Sequence, residues 1–153
     1  MGMQQQKDGW CGPASLSYVA KRAGIPTSQK KIVKLTNTTV THGVDPKNLV
    51  KGAKSLGFST KTFANKSPGK TLAAISRALT SNKHAIVDYL DGETLNDGHY
   101  SVIKRISPTA ISLWDPSQNK IRSINKETFI DHWKDTSKTG GIFSRWAMIL
   151  WKP

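Results

Sequence analysis

Near His84 the chain of 153 residues changes its periodicity, and this change constrains the fold more than any single motif. Before it, apolar residues recur at intervals of three and four; after it, they come in short β-rich runs between turn signals. A helical first half followed by strands points to the α+β class, with the helices packed on a C-terminal antiparallel sheet. No internal repeat or low-complexity stretch divides the chain, so residues 1–153 are read as a single domain.

The punctuation supports this division. Ala14, Leu16, Val19, Ala20 and Ala23 form a stripe that follows Gly12-Pro13 and ends at Gly24 and Pro26, which places Cys11 at a helix N-terminus. A second helix is predicted from a Thr27 or Ser28 cap through Ile32, Val33 and Leu35. A third has Asp45 as cap, Pro46 at its first position, Leu49, Val50 and Ala53 on one face, and Gly57 as stop. Residues 58–63 alternate like a strand and 71–79 look helical. Residues 84–90, 100–106, 110–114, 120–124 and 145–151 read as strands, with turn signals at Asp91-Gly92, Ser107-Pro108 and Asp115-Pro116. A short helix over 127–133 interrupts them before Gly140-Gly141.

The longest apolar runs, such as Ala147-Met148-Ile149-Leu150-Trp151, fall far short of the roughly 20 residues that cross a bilayer. No membrane span is expected. Met1 to Asp8 lacks the apolar stretch of a secretory signal, so the expectation is a cytoplasmic chain or an excised domain of a secreted protein. The 23 Lys and Arg against 10 Asp and Glu give a net charge of +13, a field that attracts an anionic protein or a cell-envelope polymer as readily as nucleic acid. The lysines are spread along the chain without an Arg-rich or aromatic-interleaved tract, so specific nucleic-acid binding is not expected.

Cys11 is the only cysteine, which excludes an intrachain disulfide and any Cys-pair zinc motif. With four scattered histidines the sequence offers no metal-ligand spacing, and no metal or other cofactor is expected. A lone cysteine near a helix is most often a small buried hydrophobe. A reactive one needs a local positive potential, which a helix N-terminus and a histidine cation both provide. Of His42, His84, His99 and His132, only His99 follows a turn and opens a strand, in Gly98-His99-Tyr100-Ser101-Val102-Ile103. A carboxylate should then hold the imidazole. Asp115 ends the next strand, where a hairpin would bring it near His99, with Asp88 and Asp97 as rivals. Oxyanion donors would be the Cys11 backbone N–H and the Gln5 amide, which lies just upstream of the helix.

Gln5, Trp10-Cys11-Gly12-Pro13-Ala14-Ser15-Leu16, Gly98-His99-Tyr100-Ser101-Val102-Ile103 and Trp114-Asp115-Pro116-Ser117 together resemble the C39 group of papain-like cysteine peptidases, which includes the double-glycine leader peptidases of bacteriocin exporters. Gln5 stands six residues before Cys11 and Asp115 sixteen after His99, as in that family. The stretch 41–58 also looks like the helix that follows in C39-like domains. Where the exporters usually carry Asp directly before the nucleophile, this chain has Trp10.

The resemblance implies a papain-like fold and a cysteine peptidase cleaving a peptide or isopeptide bond of a peptide or protein substrate. Cys11 would be nucleophile, His99 general base and acid, Asp115 orienter and Gln5 oxyanion donor. Three alternatives share these residues: a C39-like toxin or effector, a transferase or deamidase, and a non-catalytic peptide-binding module.

Overall fold

In a computed structural model the structure describes residues 4–41, 43–91, 97–135 and 143–153, apart from the side chains of residues 91, 97, 135 and 143. His42, Gly92, the Gly140-Gly141 pair and the Asp97 side chain lie outside the described residues. Among the described residues five helices, α1 (Cys11–Arg22), α2 (Gln29–Thr36), α3 (Pro46–Ser55), α4 (Pro68–Thr80) and α5 (Lys126–His132), accompany eight strands. The strands are β1 (Ser59–Phe63), β2 (His84–Asp91), β3 (Asp97–Ile106), β4 (Ala110–Asp115), β5 (Lys120–Asn125), β6 (Lys134–Asp135), β7 (Phe143–Ser144) and β8 (Ala147–Trp151). The result is the α+β architecture expected from the two periodicities.

Helix starts follow their capping chemistry. Ser28 accepts from the Lys31 N–H at the head of α2, and Ser67 accepts from the Lys70 N–H at the head of α4, with Pro68 in the first turn. That Ser67-Pro68 pair begins α4 three residues before the apolar stripe does. The α2 helix ends on Asn37 in the left-handed region, with φ 55°.

Six strands form one antiparallel sheet in the order β1-β8-β2-β3-β4-β5, and β6 pairs with β7 in a separate two-stranded piece. Both faces of the large sheet are covered. Leu16, Val19, Ile32 and Leu49 from α1, α2 and α3 pack with Ile86, Val102 and Trp114 on one face. On the other, Leu72 and Ile75 of α4 and Phe129 of α5 pack with Val87, Ile103 and Leu113. Two-sided burial explains why Ala147-Met148-Ile149-Leu150 in β8 is continuously apolar rather than alternating. Trp114, Trp133 and Trp146 are buried.

Two features position the site. The whole span of α1 from Cys11 to Ala20 is buried, against the sheet and against α2 and α3. The β3–β4 ladder, shifted by one residue between Ile103 and Arg105, stops at Val102 opposite Trp114. Beyond that point Pro116 has no N–H to extend it, and the two strands are released from each other beside the N-terminus of α1.

Candidate active site

The N-terminus of α1 comes close to β3 because Gly12 has no side chain. A Cβ there would lie 2.5 Å from Val44 Cγ1 and 3.2 Å from the Tyr100 ring. Cys11, the first residue of the helix, therefore reaches the place where the ladder has ended. Tyr100 stands opposite Asp88 of β2, whose own N–H points away to the Trp146 carbonyl. The Tyr100 N–H consequently faces the β4 side and donates to the Cys11 sulfur over 3.4 Å.

His99 and Asp115 meet as the hairpin register dictates. Val102 opposite Trp114 puts Asp115 one step past the last pair, a diagonal neighbour of His99. His99 Nε2 lies 2.9 Å from Asp115 Oδ1. The imidazole also hydrogen-bonds the Cys11 thiol. With Nε2 taken by the carboxylate, Nδ1 is the ring nitrogen that remains for sulfur. Among the candidate carboxylates, Asp88 is buried on the strand face that Tyr100 shares, whereas Asp115 is the one bonded to His99.

All three groups are buried, and their charges depend on one another. Burial alone pushes the His99 pKa down, but hydrogen bonds to Asp115 and Cys11 and the negative charge of both outweigh it, and the value is pushed up to about 10. For Asp115, burial favours the neutral acid. The hydrogen bond and charge of His99, the Ser117 N–H and the Arg122 cation outweigh that and hold the carboxyl below its ordinary range. An imidazolium beside a sulfur at a helix N-terminus is the electrostatic setting in which a thiolate persists at neutral pH.

Gln5 is pinned next to this group. Its N–H donates to the Pro116 carbonyl at 2.9 Å, its Oε1 accepts from Ser117 Oγ at 3.1 Å, and one amide hydrogen goes to the Lys7 carbonyl at 3.1 Å. Ser117 thus touches both Gln5, through its hydroxyl, and Asp115 Oδ1, through its N–H at 2.8 Å. The other described histidines are elsewhere. His84 pairs with Leu150 across the β2–β8 ladder, its pKa pushed down by burial and by Lys104 and Arg22, and His132 closes α5.

Sequence reasoning did not single out Arg122 of β5, whose Nε lies 3.0 Å from Asp115 Oδ2, or Tyr89 of β2, whose ring meets the His99 ring edge-on at 5.8 Å. No local signal marks either. Among the described residues no group of three or more His, Cys, Asp or Glu is placed to hold a metal ion, and no helix is long and apolar enough to cross a membrane.

The Peptidase C39 family model matches residues 2–137. The chain belongs to the Peptidase C39 family. Among solved structures it is similar to the peptidase domain of Streptococcus ComA, described as a bi-functional ABC transporter involved in quorum sensing, at 24% identity and TM-score 0.73, covering 98% of this chain and 97% of that one. It is also similar to a double glycine motif protease from an AMS/PCAT transporter, solved with its leader peptide, at 17% identity and TM-score 0.72, covering 100% and 91%. A C39-like peptidase from Bacillus anthracis aligns at 12% identity and TM-score 0.71, over 100% and 94%. At such identities these structures carry the fold: the C39, papain-like arrangement of helices on an antiparallel sheet. No curated protein matches the chain.

Proposed function

We propose that this C39 family member is a cysteine peptidase using Cys11, His99 and Asp115, with Gln5 and the Cys11 N–H as oxyanion donors. The hydrogen-bonded run from Asp115 through His99 to Cys11 carries this reading. The Cys11 thiolate attacks the scissile carbonyl, and the negative charge moves onto its oxygen. That oxygen is held by the Cys11 N–H at the N-terminus of α1. The second amide hydrogen of Gln5 turns to it as substrate binds. His99 then gives its proton to the departing amine, leaving a thioester on Cys11. Water attacks the thioester, His99 takes the proton, and the thiolate departs with the product acid released. Asp115 keeps the imidazole in the tautomer and orientation that both half-reactions need.

The substrate we assign is a peptide whose cleavage site follows a pair of glycines. The likeness to a double glycine motif protease supports it. So does the burial of Cys11, since residues without side chains approach a recessed nucleophile most closely. Trp146, in edge contact with Tyr100 at 5.9 Å, borders an open groove of about 940 Å³ along α3 and β1, with Lys47, Lys51 and Lys54 among its lining residues. This groove offers room for the rest of the peptide.

The test is incubation with peptides containing Gly-Gly followed by mass analysis. The parent should release two fragments cut after the second glycine, their masses together exceeding that of the substrate by one water, and Cys11→Ala should release none. Undiminished hydrolysis by Cys11→Ala would overturn the assignment of the nucleophile. Products lacking the added water would move the reading to transfer.

A further inference from the structure

One face of the sheet carries a polar chain across four neighbouring strands. Tyr89 of β2 stands opposite His99 of β3, and Arg122 of β5 stands opposite Leu113, one diagonal step from Asp115 of β4. Arg122 Nε lies 3.0 Å from Asp115 Oδ2, and Arg122 Nη2 donates to the Tyr89 hydroxyl at 2.9 Å. That hydroxyl shares a hydrogen bond with Ser101 Oγ at 3.0 Å. The two oxygens of Asp115 are therefore divided: Oδ1 serves His99 and the Ser117 N–H, and Oδ2 faces the guanidinium.

We infer that Arg122 is a positioning residue, which fixes the Asp115 carboxylate in the orientation that serves His99 and keeps it ionised in a buried place. The inference rests on the proposed pairing of Cys11 with His99. Its physical basis is the shape of the side chain. The planar guanidinium reaches Asp115 and Tyr89 at once, and Tyr89 in turn packs its ring against His99, so one residue braces both the carboxylate and the wall of the imidazole. A lysine supplies a single point charge and cannot span both partners. The Asp115 side chain is 3% exposed while that of Arg122 is 28% exposed, so the cation remains hydrated while its partner does not. A part-exposed cation beside a buried carboxylate avoids much of the desolvation that a fully buried pair suffers.

Among the described residues the charged and titratable groups around Asp115 are His99 from β3, with Cys11 of α1 behind it, Tyr89 from β2, and Arg122 and Lys120 from β5. Lys120 stands opposite Asp115 in the ladder, and its side chain is exposed. Arg122 is the β5 cation in contact with the carboxylate.

Because Cys11 is the only cysteine, the rate of iodoacetamide alkylation of the full chain reports on one thiol. It would be followed against pH in the parent, His99→Ala, Arg122→Gln and Arg122→Lys, with thermal melting of each. In the parent, fast alkylation should persist well below pH 7 and collapse in His99→Ala. Arg122→Gln loses both the cation and the hold on the carboxylate, so its acid limb should move up by about one pH unit. Arg122→Lys should recover at least half of that shift while melting no higher than Arg122→Gln. An Arg122→Gln profile that overlies the parent, with His99→Ala collapsed, would overturn the role of Arg122 alone. Equal displacement of both Arg122 variants, in step with equal loss of melting temperature, would reduce it to a folding contact and overturn it too. Parent and His99→Ala both titrating near the ordinary thiol value of about 8.5 would overturn the Cys11–His99 pairing, and this inference with it.

Discussion

Tyr100 donates its backbone N–H to the Cys11 sulfur across 89 residues of sequence, and it holds the helix end at two further points. Its hydroxyl donates to the Val44 carbonyl at 2.7 Å, and its ring lies against the position where Gly12 leaves no Cβ. The height of the Cys11 sulfur over the strand is thus set by one residue of β3 acting through backbone and ring.

Gly12→Ala should test that contact. The new methyl group meets the β-branched side chain of Val44, which has little room to yield, and overpacking of this kind costs about 1–3 kcal/mol. Urea unfolding should show the loss, and Cys11 alkylation should lose its acid-shifted profile as the helix end lifts from β3.

Tyr100→Phe should separate stability from chemistry. It strips the buried Val44 carbonyl of a hydrogen bond, at about 1–3 kcal/mol, yet leaves the N–H on the sulfur. The expected outcome is a lower urea midpoint with the alkylation profile of Cys11 unchanged.

The site also predicts a pH window for stability. The His99 pKa is raised in the fold, so its stabilisation is fully present below the ordinary value of 6.5 and is lost as pH rises through about 10. The Asp115 pKa is lowered, so its stabilisation is present above the ordinary value of 3.8 and is lost as pH falls through the lowered one. The pair therefore contributes most between 3.8 and 6.5. The gap in unfolding free energy between the parent and His99→Gln should be wide at about pH 5.5 and narrow progressively toward about pH 10.

Asp115→Asn keeps an oxygen opposite His99 Nε2 and removes the charge. The midpoint of the His99 ring titration, followed by NMR, should fall by about one unit or more from its raised parent value.

Gln5→Ala removes only an amide that is half-exposed in the free protein. Stability should change little, while kcat for peptide hydrolysis should drop about 10²-fold, as befits a donor needed when charge develops on the carbonyl oxygen. Equal kcat in the variant would remove Gln5 from the oxyanion site.

Much of this arrangement is legible in the sequence because it depends on local rules. Gly12-Pro13 after Cys11 and Asp45-Pro46 mark helix starts by a proline in the first turn and Ser28 by its cap, and the strands from His84 to Asn125 alternate or run apolar between turns. The approach of Asp115 to His99 follows from a hairpin between consecutive strands. Features that depend on distant packing are not legible. Arg122 is indistinguishable from the other cations until β5 is known to lie beside β4 with Leu113 as its partner. That α4 crosses to the opposite face from α1 is decided by the position of β1 at the sheet edge beside β8. β6 and β7 are too short, at two residues each, to show a period.

The pinning of the N-terminal segment carries a consequence for biosynthesis. Gln4 and Gln5 bond to Ser117 and Pro116, and Cys11 bonds to Tyr100, so these contacts around the thiol join residues 4–11 to segments translated some ninety to over a hundred residues later. Such long loops close late in folding. On the proposed assignment of Cys11 as nucleophile, a nascent chain still short of β4 lacks the partners of the thiol, which come together only when the hairpin that ends at Asp115 has left the ribosome.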